Sequence, residues 1–202
     1  QTAGANWSEL EGKVQASASQ LSESCVSIRS AKGNWGSGVI VSKDGLIFSA
    51  AHVFTEEGET VELFTQTGIS FAGKVVKLNT KHDLAVLKVQ EPFAIEKTAI
   101  LAKSGSGADA SMLIAAGHAS GYTKKRTTPI RVGFGFEHAA SGLIYSTCRI
   151  TAGDSGGPLF DEDGRLQAIH HTMDGGGKFS AHVPVQRFFQ LWPELQKAVI
   201  FA

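Results

Sequence analysis

Short apolar runs, each closed by turn residues, recur from residue 26 to residue 183. Residues 26–29, 37–41, 46–48, 61–65, 69–78 and 84–89 alternate or cluster apolar side chains over strand-like lengths. Lys43-Asp44-Gly45 between the second and third is a hairpin signal, because Asp-Gly accepts positive φ. Residues 94–101 then cross to a second set, with a flexible loop at 103–107 near the join. In that set, residues 112–116, 130–136, 143–148, 158–160, 166–171 and 179–183 read as strands. The segment 121–128 is a polar, basic loop, and Asp161-Glu162-Asp163-Gly164 is a turn. Many short strands with regular turns argue for barrels, so the pattern predicts an all-β chain.

Each end carries a helical period instead. Trp7, Leu10, Val14, Ala18 and Leu21 form one apolar stripe behind Asn6 or Ser8 as cap. Near the other end Pro184 suits a first helical turn, and Val185, Phe188, Phe189 and Trp192 give helical spacing. Pro193 breaks or kinks that helix, which residues 194–202 would continue. The expected division is an N-terminal helix over 1–23, a first barrel over 24–103, a second over 104–184 and a C-terminal helix over 185–202.

Composition narrows the function classes. The chain has 202 residues, long enough for a real core, and equal numbers of acidic and basic residues (19 each). Zero formal net charge gives no electrostatic case for a nucleic acid or an anionic membrane surface as partner. No apolar run reaches the length of a membrane span. Gln1-Thr2-Ala3-Gly4-Ala5 lacks the basic start and apolar core of a signal peptide. Cys25 and Cys148 could pair or stay separate; sequence spacing does not decide it.

The chemistry gathers at Gly153-Asp154-Ser155-Gly156-Gly157-Pro158. Glycines on both sides of a serine allow a turn that exposes its hydroxyl and aims backbone N–H groups at one point. Those are the nucleophile and the oxyanion hole of acyl transfer. A serine needs a base, and the base needs a partner that fixes its tautomer. His52, at the end of an apolar run, and Asp83, at the start of another, supply both.

SAAHV, DLAVLKV and GDSGGP, in that order, resemble the trypsin-like serine proteases of the chymotrypsin fold. GSGVIVSKDGLIFSAAHV and the DLAVL segment look closest to the bacterial HtrA/Deg branch, and the resemblance covers nearly the whole chain. It implies two packed six-stranded antiparallel β-barrels with the active site between them. It implies Ser155 as nucleophile, His52 as general acid/base and Asp83 as the orienting carboxylate. The oxyanion hole would be formed at Gly153, Asp154 and Ser155, chiefly by the N–H groups of Gly153 and Ser155.

Asp154 departs from the HtrA pattern, where Asn is usual. In animal trypsins that Asp meets a new N-terminus; the chain has no IVGG-type start, so another partner is expected, with Arg149 a candidate. The primary pocket would be lined by Arg149, Thr151, His170, His171 and Thr172. His170 aligns with a histidine that meets acidic side chains in bacterial glutamyl endopeptidases. A competing reading makes it a hydrogen-bonded barrel histidine, with cleavage after small aliphatic residues. Arg149 near the position of the trypsin pocket carboxylate argues against cleavage after Lys or Arg. His170 and His171 leave a strand on opposite faces, and no Cys or carboxylate spacing matches a zinc motif, so no metal or other cofactor is expected.

The expected function is a serine endopeptidase acting on peptides or unfolded proteins, through an acyl-enzyme, in protein quality control or secreted proteolysis. Its setting would be periplasmic or secreted, and its oligomeric state is open. The alternative is a catalytically silent binding or chaperone-like module on a protease fold. GDSGG also fits the letters of the α/β-hydrolase elbow, but no strand–helix alternation surrounds it.

Overall fold

The computed structural model describes residues 7–91, 95, 97–103, 111–174 and 176–202. The expected crossing over 94–101 and the loop over 103–107 therefore lie partly outside the described residues, as does Asn6. Helix α1 (Trp7–Ser24) leads directly into the first strands, and Leu21 on its inner face is buried.

Strands β1 (Cys25–Arg29), β2 (Trp35–Ile40), β3 (Leu46–Ser49), β4 (Thr60–Phe64), β5 (Ser70–Asn79) and β6 (Leu84–Val89) close into an antiparallel barrel, in the order β1-β2-β3-β6-β5-β4. Gly45, at φ +88°, makes the turn between β2 and β3 that Asp-Gly signalled. Val26, Ile28, Ile47, Leu63, Val75 and Leu87 fill this barrel.

The second barrel is built from β8 (Ser111–Ala116), β9 (Ile130–His138), β10 (Leu143–Ser146), β11 (Pro158–Asp161), β12 (Arg165–Met173) and β13 (Ser180–Pro184). They run in the order β11-β8-β9-β10-β13-β12, and pairing of β11 with β12 closes the ring. A two-residue strand, β7 (Ile100–Leu101), leaves the first barrel and pairs in parallel with β12 of the second. The expected pair of six-stranded antiparallel barrels is the observed architecture.

The largest apolar cluster lies between the barrels. Val39, Phe48 and Val86 from one meet Ile114, Phe160 and Ile169 from the other. Helix α2 (Gln186–Leu191) caps this seam, with Phe188 stacked on Phe48 at 3.9 Å between ring centres. The helix begins beyond Pro184, which ends β13. Past Pro193 the chain makes a 3-10 turn (Pro193–Lys197), not a continued helix, and Phe201 bridges back to Leu101. The two cysteines are free and buried, and burial pushes both thiols up, which makes them poor nucleophiles.

Candidate active site

The described residues of three separate elements converge on Asp83. His52 sits in a 3-10 turn (Ala51–Val53) just after β3. Asp83 precedes β6 with φ at 56°, a left-handed conformation that Asp tolerates better than most side chains. That bend turns its carboxylate back toward His52. Oδ1 accepts the His52 backbone N–H at 2.8 Å, while His52 Nδ1 lies 3.0 Å from Oδ1 and 2.8 Å from Oδ2. With carboxylate oxygens opposite it, Nδ1 carries the proton and Nε2 is left as the base.

His171 is the third member. Strand β12 changes register against β13 between His170 and Thr172, so His171 sits in a bulge. Bulges re-aim side chains beside active sites. Here the imidazole leaves the expected substrate pocket and turns to Asp83, with Nδ1 2.5 Å from Oδ2. Burial alone would raise the Asp83 carboxyl; hydrogen bonds from His171 and His52 outweigh it and hold the group at about 2. The Asp83 hydrogen bond raises the His52 imidazole above its ordinary 6.5, against the opposing effect of burial.

The Ser155 turn packs onto the same corner of the first barrel. Ser155 O accepts the Ser37 N–H at 2.7 Å, and Gly36 is so close that a Cβ there would meet Val53 at 2.7 Å and Ser155 O at 3.2 Å. Ser37 is a bridge that sequence reasoning missed: its hydroxyl donates to Gly153 O at 2.7 Å and accepts the His118 N–H at 2.9 Å. Among the described residues Ser155 Oγ makes no hydrogen bond, so a bond to His52 Nε2, which the roles implied by the resemblance would call for, is not formed in this structure. Such catalytic bonds commonly tighten only when substrate binds.

Two N–H groups of the turn are left without protein acceptors among the described residues, those of Gly153 and Ser155. The peptide planes that carry them are fixed by their carbonyls: Ala152 O accepts from Ser120 N at 2.7 Å and Asp154 O from Gly157 N at 2.8 Å. Gly153 has φ +94°, and a Cβ there would strike Ser120 N at 2.5 Å, so only glycine fits. Asp154 does not belong with them, because its N–H is spent on Thr151 O at 3.0 Å.

The other pocket residues are reassigned too. The partner of the fully buried Asp154 is Arg131 on β9, at 3.0 Å, while Arg149 is exposed. Thr151 is bound to the same carboxylate through its N–H at 2.8 Å and its hydroxyl at 3.2 Å. His170 is fully buried beneath Gly157. Its Nε2 faces Ala116 O at 3.1 Å and must donate to it, so Nδ1 is the acceptor for His182 Nδ1 at 3.0 Å. His182 Nε2 then accepts from Ser146 Oγ at 2.7 Å. Both nitrogens of His170 are thus committed, and burial lowers it to about 3, so it cannot receive an acidic substrate side chain. Thr172 is exposed, with its hydroxyl donating to Met173 O at 3.3 Å. A cavity of about 560 Å³ on the first barrel, lined by Arg29, Glu62 and Phe71 among others, shares none of these residues.

The family described as Trypsin-like peptidase domain matches residues 36–169. The chain is similar to the serine protease HTR4 of Bos taurus, 30% identical over 168 residues, covering 80% of this chain and 34% of that protein. It is similar to the serine protease HTRA1B of Danio rerio, 28% identical, covering 79% of this chain and 34% of the relative. The chain thus spans 34% of the length of these curated relatives. Among solved structures, the serine endoprotease from Yersinia pestis superposes with a TM-score of 0.75 at 20% identity, over 93% of this chain and 66% of that one.

Proposed function

This chain belongs to the trypsin-like peptidase domain family, and from that membership we propose that it is an HtrA-type serine endopeptidase. One observation carries the reading: Asp83 grips His52 through both the ring Nδ1 and the backbone N–H, which leaves Nε2 as the ring nitrogen free to act as a base. In the proposed reaction His52 Nε2 takes the Ser155 proton as Oγ attacks the scissile carbonyl. The oxyanion develops against the N–H groups of Gly153 and Ser155, each worth about 3–4 kcal/mol of transition-state stabilisation. His52 then protonates the leaving amine, and water repeats the sequence on the acyl-enzyme.

Peptides and unfolded protein segments are the proposed substrates, and an exported setting, periplasmic or secreted, is the proposed compartment; both rest on the family. No helix among the described residues is long and apolar enough to cross a membrane. Labelling with a fluorophosphonate probe tests the reading. We expect Ser155 to be modified, and Ser155→Ala and His52→Ala to abolish labelling with the fold intact. A wild-type chain that is inert to the probe and to peptides would favour the silent binding module instead.

A further inference from the structure

We propose that His52, Asp83 and His171 form a binding site for a late first-row transition-metal dication such as Zn²⁺, and that the bound ion blocks hydrolysis. The inhibitory half rests on the triad reading; the binding half does not.

One ligand atom from each of the three residues lies within 4.8 Å of the others, and the Nδ1 atoms of both histidines face the same Asp83 oxygen, Oδ2. Two histidines and a carboxylate, with a fourth position for water, make a known donor set for zinc. Imidazole nitrogen favours Zn²⁺ and its neighbours over the hard, oxygen-seeking Ca²⁺ and Mg²⁺. The Nδ1–Oδ2 distances of 2.8 Å and 2.5 Å are those of hydrogen bonds. A tetrahedral ion with ligand bonds near 2.1 Å needs donors about 3.4 Å apart, so each Nδ1–Oδ2 pair must open by less than about 1 Å and the two imidazole donors, no more than 4.8 Å apart, must settle at the same spacing. The imidazoles have the freedom to do so, with side chains 47% and 34% exposed. Asp83 needs little movement, because the His52 backbone N–H holds Oδ1 and leaves Oδ2 to the ion. The 250 Å³ cavity lined by Asp83 and His171 also carries Lys81 and Arg187, whose charges oppose a cation entering through it.

The consequence for chemistry follows from tautomers. A metal on His52 Nδ1 takes the lone pair there, so the ring proton moves from Nδ1 to Nε2. Nε2 then presents an N–H to Ser155 and cannot accept its proton. The ion thereby imposes the tautomer that Asp83 normally excludes.

Isothermal titration of ZnCl2 into the Ser155→Ala chain measures binding without catalysis, and Co²⁺ in its place reports a four-coordinate nitrogen and oxygen site by its visible bands. We expect one ion per chain, and binding weakened by at least about 10-fold in Ser155→Ala/His171→Asn, since even outer-shell changes cost that much. Zn²⁺ should inhibit peptide hydrolysis by the wild type, with recovery on adding EDTA. His82→Ala, beside Asp83 in sequence but outside the cluster, should keep the sensitivity. Thermal melting of the His171→Asn chain without metal establishes that it is folded. Binding that is absent, that survives His171→Asn unchanged, or that follows His82 would overturn the proposal. Zn²⁺ binding at the cluster without fluorophosphonate labelling of the wild type would refute the protease reading alone; labelling without Zn²⁺ binding would refute the metal site alone.

Discussion

Arg131 reaches Asp154 from β9 across the floor of the second barrel, 3.0 Å away, and the carboxylate it meets is wholly shielded from solvent. The pair lies one residue from the proposed nucleophile. It also holds the turn, because the carboxylate oxygen that faces Arg131 receives the Thr151 N–H and hydroxyl. The partner comes from within the folded barrel, so this aspartate needs no liberated chain terminus.

Arg131→Ala should therefore leave a buried, uncompensated carboxylate and cost up to about 3–5 kcal/mol of stability. Asp154→Asn, which restores the residue usual in the HtrA pattern, should destabilise less, because the amide oxygen can still accept from Arg131 and Thr151. Urea unfolding of the two variants checks the order. Equal, near-zero losses would show that the pair is not needed.

The proposed triad makes a separate prediction. Asp83→Asn should lower kcat by about four orders of magnitude, by disfavouring the tautomer with a free Nε2. In the proposed mechanism hydrolysis requires neutral His52, and the Asp83 hydrogen bond raises its pKa above 6.5. Activity should be lost as pH falls through that raised value and recovered above it. Rates measured in chelator-containing buffer, from about pH 5 to 9, test this. A midpoint below 6.5 would mean that Asp83 does not stabilise the imidazolium.

His171→Ala probes the second imidazole on the same carboxylate. Removing that donor leaves Asp83 a stronger acceptor for His52. The acid limb should then move to higher pH, while kcat at the plateau falls because Asp83 loses one of its fixing bonds. A purely structural role would lower activity at every pH without moving the midpoint.

The division of what was legible follows from the range of the interactions. Strand positions were readable because turn chemistry is local: Asp44-Gly45 favours a tight hairpin by itself, and Gly45 takes the positive φ that the turn needs. His52, Asp83 and Ser155 stood out as candidates because each is embedded in a characteristic run, and the structure brings the first two together. The ties among elements were not. His171 meets Asp83 across 88 residues, through a bulge that no local pattern announces. Ser37 joins Gly153 across 116 residues, and it looks like any strand serine. Arg131 alternates with Val132 and Phe134, which are exposed, so its inward aim appears only once the register of β9 is fixed.

The buried histidines yield the last prediction. His170 and His182 are bonded to each other and share the interior with Ser146, and burial drives both well below 6.5, His170 to about 3. Burial likewise lowers His118 to about 4. The unfolded chain takes up these protons as pH falls through 6.5, whereas the folded chain resists until about 3–4. Acid therefore favours the unfolded state across that window, by about 1.4 kcal/mol per pH unit for each histidine held neutral. The melting temperature should drop between about pH 7 and pH 5, more steeply than in His170→Phe/His182→Phe, where the titrating rings are gone. The same chain decides specificity: with both His170 nitrogens engaged, a peptide-library profile should show no enrichment of Glu or Asp before the cut. His170→Ala should weaken hydrolysis of all substrates alike, through lost stability. A selective loss on Glu substrates would reinstate His170 as a pocket residue.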